Sequence, residues 1–206
     1  MNITNEEIDA LKEMINIGVG SGADVMNTML NSPIQLQVPY LRVILPEELD
    51  KEIKAHDSGR FSAVNLSFKG SFLGTAELVF PAESAAKLVK MLTNQHSEMP
   101  NVDSIRSGTL TEVGNIVLNA VMGTISNILD LSLSYSVPNY VEGNVKNLMV
   151  ANKINFDTVI MLARTRFLIE ELEIEGDILL FLEVESFGKL LKKIDAFNAC
   201  LGAGKA

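Results

Sequence analysis

The sequence predicts an α+β fold: an internally duplicated helix–strand–strand–strand–helix unit whose copies share one mostly antiparallel six-stranded sheet, pseudo-twofold, with helices packed on it. Three observations predict it. Leu11, Glu13, Asn16, Ile17, Leu30, Val38 and Pro39 are matched at a constant offset of 99 by Leu110, Glu112, Asn115, Ile116, Leu129, Val137 and Pro138. Helical and strand-like hydrophobic periods then follow one another in the same order in both halves. Neither half has enough strands and depth to bury a core alone, so the two are expected to share a sheet. The chain therefore reads as one pseudo-symmetric domain over 1–206, with repeat one at about 4–95 and repeat two at about 102–202.

Thr4-x-x-Glu7 is a capping box, which predicts a helix from near Asn5 to about Leu30. At ~100° per residue, Ile8, Leu11, Ile15, Gly18, Gly22, Val25 and Met29 form one stripe toward the rest of the protein, where glycines admit a second backbone. Asp9, Glu13, Asn16 and Gly20 fall on a line roughly opposite, flanked by Met14 and Ile17. Apolar side chains beside an outward Glu and Asn suit a docking surface; Ile17 packed on a neighbouring helix is the equal alternative. Gly18-x-Gly20-x-Gly22 lies inside a helical period with no Gly-Lys-Ser/Thr after it, so it is not a phosphate loop.

After Pro33, Ile34–Val38 alternates as a half-buried strand, and Glu47–Asp57 is a loop or short helix. Phe61–Phe68 and Phe72–Phe80 form a hairpin with its turn at Gly70. Pro81 reads as the first residue of a helix over Ala82–Leu92, and His96–Asn101 links the halves. In repeat two, Asp103 or Ser104 caps a helix with Leu110, Gly114, Val117, Val121 and Ile128 inward and Glu112 and Asn115 outward. Leu133–Val137 matches the first strand, and beyond Pro138 the offset grows to 102, which places three extra residues in a loop around 139–160. Strands at about Val159–Leu172 and Ile178–Val184 and a helix over about Ser186–Leu201, closed by Gly202, complete the copy.

Composition narrows the function. An apolar fraction of 47 % with 21 % charged residues is that of a globular chain with a core. A net charge of −9 argues against nucleic acid and anionic membranes, which need a basic surface. The single Cys200 cannot form an internal disulfide, the N-terminus lacks a signal-peptide pattern, and Val113–Leu129 is too short and too often interrupted to span a bilayer. A cytoplasmic location without membrane insertion is expected. His56 and His96 have no ligand-spaced partners, Cys200 reads as a small buried residue, and no nucleophile elbow occurs, so no metal site is expected.

What remains is the outward Glu–Asn pair, present twice. Asn is a poor helix former, yet Asn16 and Asn115 both stand mid-helix, so some compensating role is needed. Either the amide closes a backbone turn or it serves a site.

These residues resemble the CheC, CheX and FliY group of chemotaxis phosphatases, whose pattern is Asp or Ser, three residues, Glu, two residues, Asn, twenty-two residues, Pro. Asp9, Glu13, Asn16 and Pro39 fit every position; Glu112, Asn115 and Pro138 fit all but the first, where Gly108 stands. Two copies make the resemblance closest to CheC, since CheX carries one copy and dimerises, and the extra C-terminal domain of FliY is not expected. The resemblance implies a hydrolase for the aspartyl phosphate of a CheY-type response regulator, with no covalent enzyme intermediate, no cofactor of its own and Mg²⁺ brought by the regulator. It implies that Asn16 or Asn115 orients the attacking water and that Glu13 or Glu112 pairs with the regulator's lysine. Asp9, Ile17, Gly108 and Ile116 are the accompanying binding positions. Both copies are expected to contribute, the first more, because Gly108 offers no side chain. The alternative is an adaptor that binds a response regulator, a CheD-type deamidase or a flagellar-switch component without turnover. A domain whose outward polar residues serve structure alone is the third reading.

Overall fold

The computed structural model describes residues 3–30, 33–53, 60–93, 102–169 and 172–203. Repeat one forms α1 (Asn5–Leu30), β1 (Ile34–Ile44), α2 (Pro46–Ile53), β2 (Phe61–Gly70), β3 (Gly74–Pro81) and α3 (Ala82–Thr93). Repeat two forms α4 (Val102–Ile128), β4 (Leu133–Tyr135), β5 (Asn139–Gly143), α5 (Val145–Ala151), β6 (Thr158–Ile169), β7 (Leu172–Glu183) and α6 (Val184–Ala203). Each copy thus carries an extra helix after its first strand. The segment expected as a loop at 139–160 is β5 and α5, the latter started by a capping box between Asn144 and Asn147.

The sheet runs β1-β6-β7-β3-β2-β4, with β5 also on β2, and all pairs are antiparallel. It has seven strands rather than six because the counterpart of β1 is broken into β4 and β5 around Pro138. The halves exchange edges. β1 of repeat one completes the β6–β7 hairpin of repeat two, while β4 and β5 complete the β2–β3 hairpin of repeat one. The two hairpins meet at β3–β7, where Leu78 faces Ile178. A strand from each copy thus covers an edge the other would leave open.

One face of the sheet carries α1, α3, α4 and α6 over a core that includes Leu11, Ile15, Leu88, Val117, Phe167 and Phe187. The other face is covered by α2 and α5 through Leu49, Ile53, Val145 and Leu148. α1 and α4 pack on each other and run antiparallel: Gly18 faces Val121 and Gly22 faces Val117.

Several boundaries differ from expectation. In α1, Leu11, Ile15, Gly18 and Gly22 are buried, but so are Met14, Val19, Ala23 and Met26, whereas Val25 and Met29 are exposed. The buried face drifts round the helix because α1 packs on β1 as well as on α4. Gly70 ends β2 with φ +140° instead of making the turn, since β4 crosses there: a Cβ would lie 2.0 Å from the Ser132 carbonyl oxygen. Pro81 closes β3, and Asp103 lies in the first turn of α4 rather than capping it. α6 continues through Gly202 to Ala203. Cys200 is exposed, not buried, because it follows the last fully core-facing residue of α6, Ile194. The expectations for His56, His96 and the 96–101 link lie outside the described residues.

Candidate functional site

Thr4 and Glu7 start α1 as the capping box requires: the Thr4 amide donates to Glu7 Oε2 at 2.6 Å and the Glu7 amide to Thr4 Oγ1 at 3.2 Å. That fixes the phase of the helix. Asp9 and Glu13 are exposed, Ile17 is 47 % exposed and Asn16 is half-buried.

Asn16 turns toward β1. Between Gln37 and Tyr40 the register slips, so that three steps on β1 oppose two on β6, from Arg166 to Arg164. The bulge holds Val38 and Pro39, and it lies on an edge strand, where a residue without an N–H is tolerated. Asn16 supplies the groups the ladder has lost. The Val38 amide donates to Asn16 Oδ1 at 2.8 Å, and Asn16 Nδ2 donates to the carbonyls of Val38 (3.3 Å) and Lys12 (3.0 Å). The backbone-turn role considered from the sequence is therefore realised at Asn16.

The second copy differs. Glu112 and Gly108 are exposed, while Asn115 and Ile116 are half-buried on α4. The strand break at Val137–Pro138 is held by Ser136, whose amide donates to the Ser67 carbonyl (2.9 Å) while its Oγ accepts from the Ser67 amide (3.0 Å). Val137 is 85 % exposed. Among the described residues, the Asn115 side chain makes no hydrogen bond to β4 or β5. Its Oδ1 accepts from Asn119 Nδ2 at 2.6 Å, and the same Nδ2 reaches the Asn115 carbonyl at 2.7 Å. Asn119 did not stand out in the sequence. Comparing it with its repeat partner, Gly20, was the signal available.

Beside this second motif lies a groove of about 260 Å³ between the end of α1, the end of α3 and α4. Met26, Met29, Leu92, Val113 and Ile116 line it, with Glu112 as the charged group. Apolar side chains thus stand beside the outward Glu of copy two, with Met26, Met29 and Leu92 contributed by the other half.

No family model matches the chain. Among solved structures, FliY of Thermotoga maritima superposes with a TM-score of 0.76 at 19 % identity, covering 96 % of this chain and 100 % of that one. CheX in the CheX–CheY–BeF₃–Mg²⁺ complex of Borrelia burgdorferi is similar at TM-score 0.50 and 18 % identity, over 84 % of this chain and 99 % of the matched one. The CheY-P phosphatase CheC of Bacillus subtilis is 27 % identical over 139 residues. The chain is similar to CheC in sequence and has the fold of FliY and CheX. The CheC match spans 66 % of this chain and 66 % of the relative's own length, a little under two thirds.

A second polar centre lies on the opposite face of the sheet. Glu77 on β3 is 2 % exposed, and Asn152, just after α5, donates to its Oε1 at 2.8 Å. Burial pushes the Glu77 carboxyl up to about 7, against the opposing effect of hydrogen bonds from Asn152 and Asn65. Nearby in the sheet, Asp177 pairs with Arg164 at 3.1 Å. Among the described residues no group of three or more His, Cys, Asp and Glu gathers to hold a metal ion, and no helix is long and apolar enough to cross a membrane.

Proposed function

We propose that this protein hydrolyses the aspartyl phosphate of a CheY-type response regulator, and that the second Glu–Asn pair, Glu112 and Asn115, is the working copy in the conformation described. The observation that carries this reading is that the Asn115 amide, one turn from exposed Glu112, is bonded to Asn119 on its own helix and, among the described residues, to no strand, on a chain similar to a CheY-P phosphatase. An acyl phosphate is already activated, so the missing part is a water aligned with the phosphorus. Asn115 Oδ1 has two acceptor sites, one used by Asn119, and the other takes an O–H of that water. The water oxygen attacks phosphorus, the P–O bond to the regulator aspartate breaks, and carboxylate, inorganic phosphate and a proton result. Glu112 pairs with a lysine of the regulator and sets the helix in register. The metal of that site would be the regulator's, not this chain's.

Asn16 is committed to Val38, so copy one needs those bonds released before its amide can serve a water. That observation supports a second reading for copy one, in which Asp9, Glu13 and the exposed Ile17 form a docking surface without turnover. Its partner would be the regulator, a CheD-type deamidase or a flagellar-switch component.

Phosphate release from a phosphorylated CheY-type regulator tests both. Asn115→Ala should lower the rate by at least about tenfold with an unchanged melting temperature. Asn16→Ala should lower stability by about 1–3 kcal/mol, because two backbone groups of β1 lose their partner. A double variant that releases phosphate at the wild-type rate would sink the mechanism, and binding without acceleration by the wild type would leave the adaptor.

A further inference from the structure

Resting on the phosphatase reading and going beyond it, we infer that Asn119 is a positioning residue, which holds the Asn115 carboxamide in its working orientation. The terminal torsion of an asparagine is soft, with no sharp rotameric wells, so an exposed amide orients a water only if something else fixes it. In copy one that task falls to the β1 bulge, which grips both ends of the Asn16 amide. In copy two the strand break is held by Ser136 instead, and among the described residues the Asn115 side chain makes no hydrogen bond to β4 or β5. Asn119 takes the place of the strand. Its Nδ2 bridges the Asn115 backbone carbonyl and Asn115 Oδ1, at 2.7 and 2.6 Å, so the amide is tied to its own helix with the oxygen's remaining acceptor site open. The same position in copy one is Gly20, around which a Cβ would meet no atom within 4 Å. Each copy thus has one restraint and lacks the other.

A back-bond from residue i to the i−4 carbonyl is common on helices and serves local structure alone. The contact to Oδ1 is what distinguishes a positioning role, and three substitutions separate the two. Asn119→Ala removes both bonds. Asn119→Ser keeps a hydroxyl able to reach the carbonyl but is too short to bridge to Oδ1. Asn119→Gln keeps an amide donor at a spacing where Gln–Asn pairs form.

The first measurement is ¹⁵N relaxation of the Asn115 carboxamide in the free chain, which needs no activity. The expected result is an ordered amide in the wild type and Asn119→Gln and a mobile one in Asn119→Ala and Asn119→Ser. The second is the steady-state rate on the phosphorylated regulator. Asn119→Ala and Asn119→Ser should lower kcat toward that of Asn115→Ala, about tenfold, with KM unchanged, and should add nothing in the Asn115→Ala background. Asn119→Gln should recover most of the rate. An amide equally ordered in Asn119→Ala overturns the inference, as does wild-type kcat in Asn119→Ala beside an impaired Asn115→Ala. If Asn115→Ala itself keeps full rate, the copy-two phosphatase reading fails and the inference with it. The relaxation result then still tells whether Asn119 orders the amide.

Discussion

At the scale of single residues, the same amino acid does different work in the two copies. Asn16 satisfies the amide and carbonyl of Val38, which a bulge has taken out of the ladder, so its mid-helix cost is offset structurally. Asn115 has no such duty and is bonded to Asn119 instead. Both were legible in the sequence as a repeated Glu-x-x-Asn, but their difference was not, because it depends on whether residue 38 or residue 137 returns to the helix. Glu77 was not legible at all. One Glu in an alternating strand carries no mark of being buried under Asn152. Its folded pKa of about 7 lies above the ordinary value of 4.5, so the folded state binds the proton more tightly than the unfolded chain. That contribution to stability is fully present below about 4.5 and is lost as pH rises through about 7. At pH 8 the charged Glu77 should cost roughly 3 kcal/mol relative to pH 4, at about 1.4 kcal/mol per unit. Thermal melts at pH 5 and 8 check this: Glu77→Gln should melt above the wild type at pH 8 and show a flatter pH dependence. Parallel curves for the two proteins would refute it.

At the scale of elements, the long antiparallel pair α1 and α4 positions both motifs, and its closeness depends on particular glycines. A Cβ at Gly18 would lie 2.6 Å from the Val121 Cα, so Gly18→Ala forces two backbones apart. A Cβ at Gly20 meets nothing within 4 Å. Gly18→Ala should therefore lose about 1–3 kcal/mol in urea unfolding, while Gly20→Ala gains up to about 1 kcal/mol from helix propensity. Equal effects at the two sites would mean that the helix contact is not tight. The sequence pointed correctly to close packing at Gly18, whereas at Gly22 a Cβ would make only ordinary contact, 3.5 Å from the Val117 Cα. It mistook Val25 and Met29 for core residues, because a fixed stripe cannot describe a helix that packs on a strand and on another helix along its length. It also missed α5. Asn144 and Asn147 cap that helix reciprocally, but short helices have weak periodicity, and an insertion between repeats reads as a loop.

At the scale of the whole molecule, the exchange of edge strands makes the two repeats interdependent. Ile34 at the start of β1 pairs with Ile169, and Phe61 in β2 pairs with Gly143. Neither hairpin has its third strand from its own half. Chains cut between Thr93 and Val102 should therefore be poorly folded as isolated monomers and should regain a protected sheet when mixed. Size-exclusion chromatography and amide exchange give the test. A monomeric first half with protected β1 amides would contradict the topology. The shared sheet itself was foreseen, because neither repeat could bury a core alone, but the partner of each edge strand was not.

The sequence by itself determined the duplication, the capped start of α1, the existence of most helices and strands, and the two Glu–Asn pairs, because each depends on periodicity or spacing within a few turns of chain. Tertiary structure alone decided that β1 crosses to the β6–β7 hairpin, that Val38 captures Asn16, and that Ser136 leaves Asn115 to Asn119. All three outcomes follow from pairing between distant segments. Near-identical motifs acquire different partners once strand register places the bulge against one helix and the break away from the other.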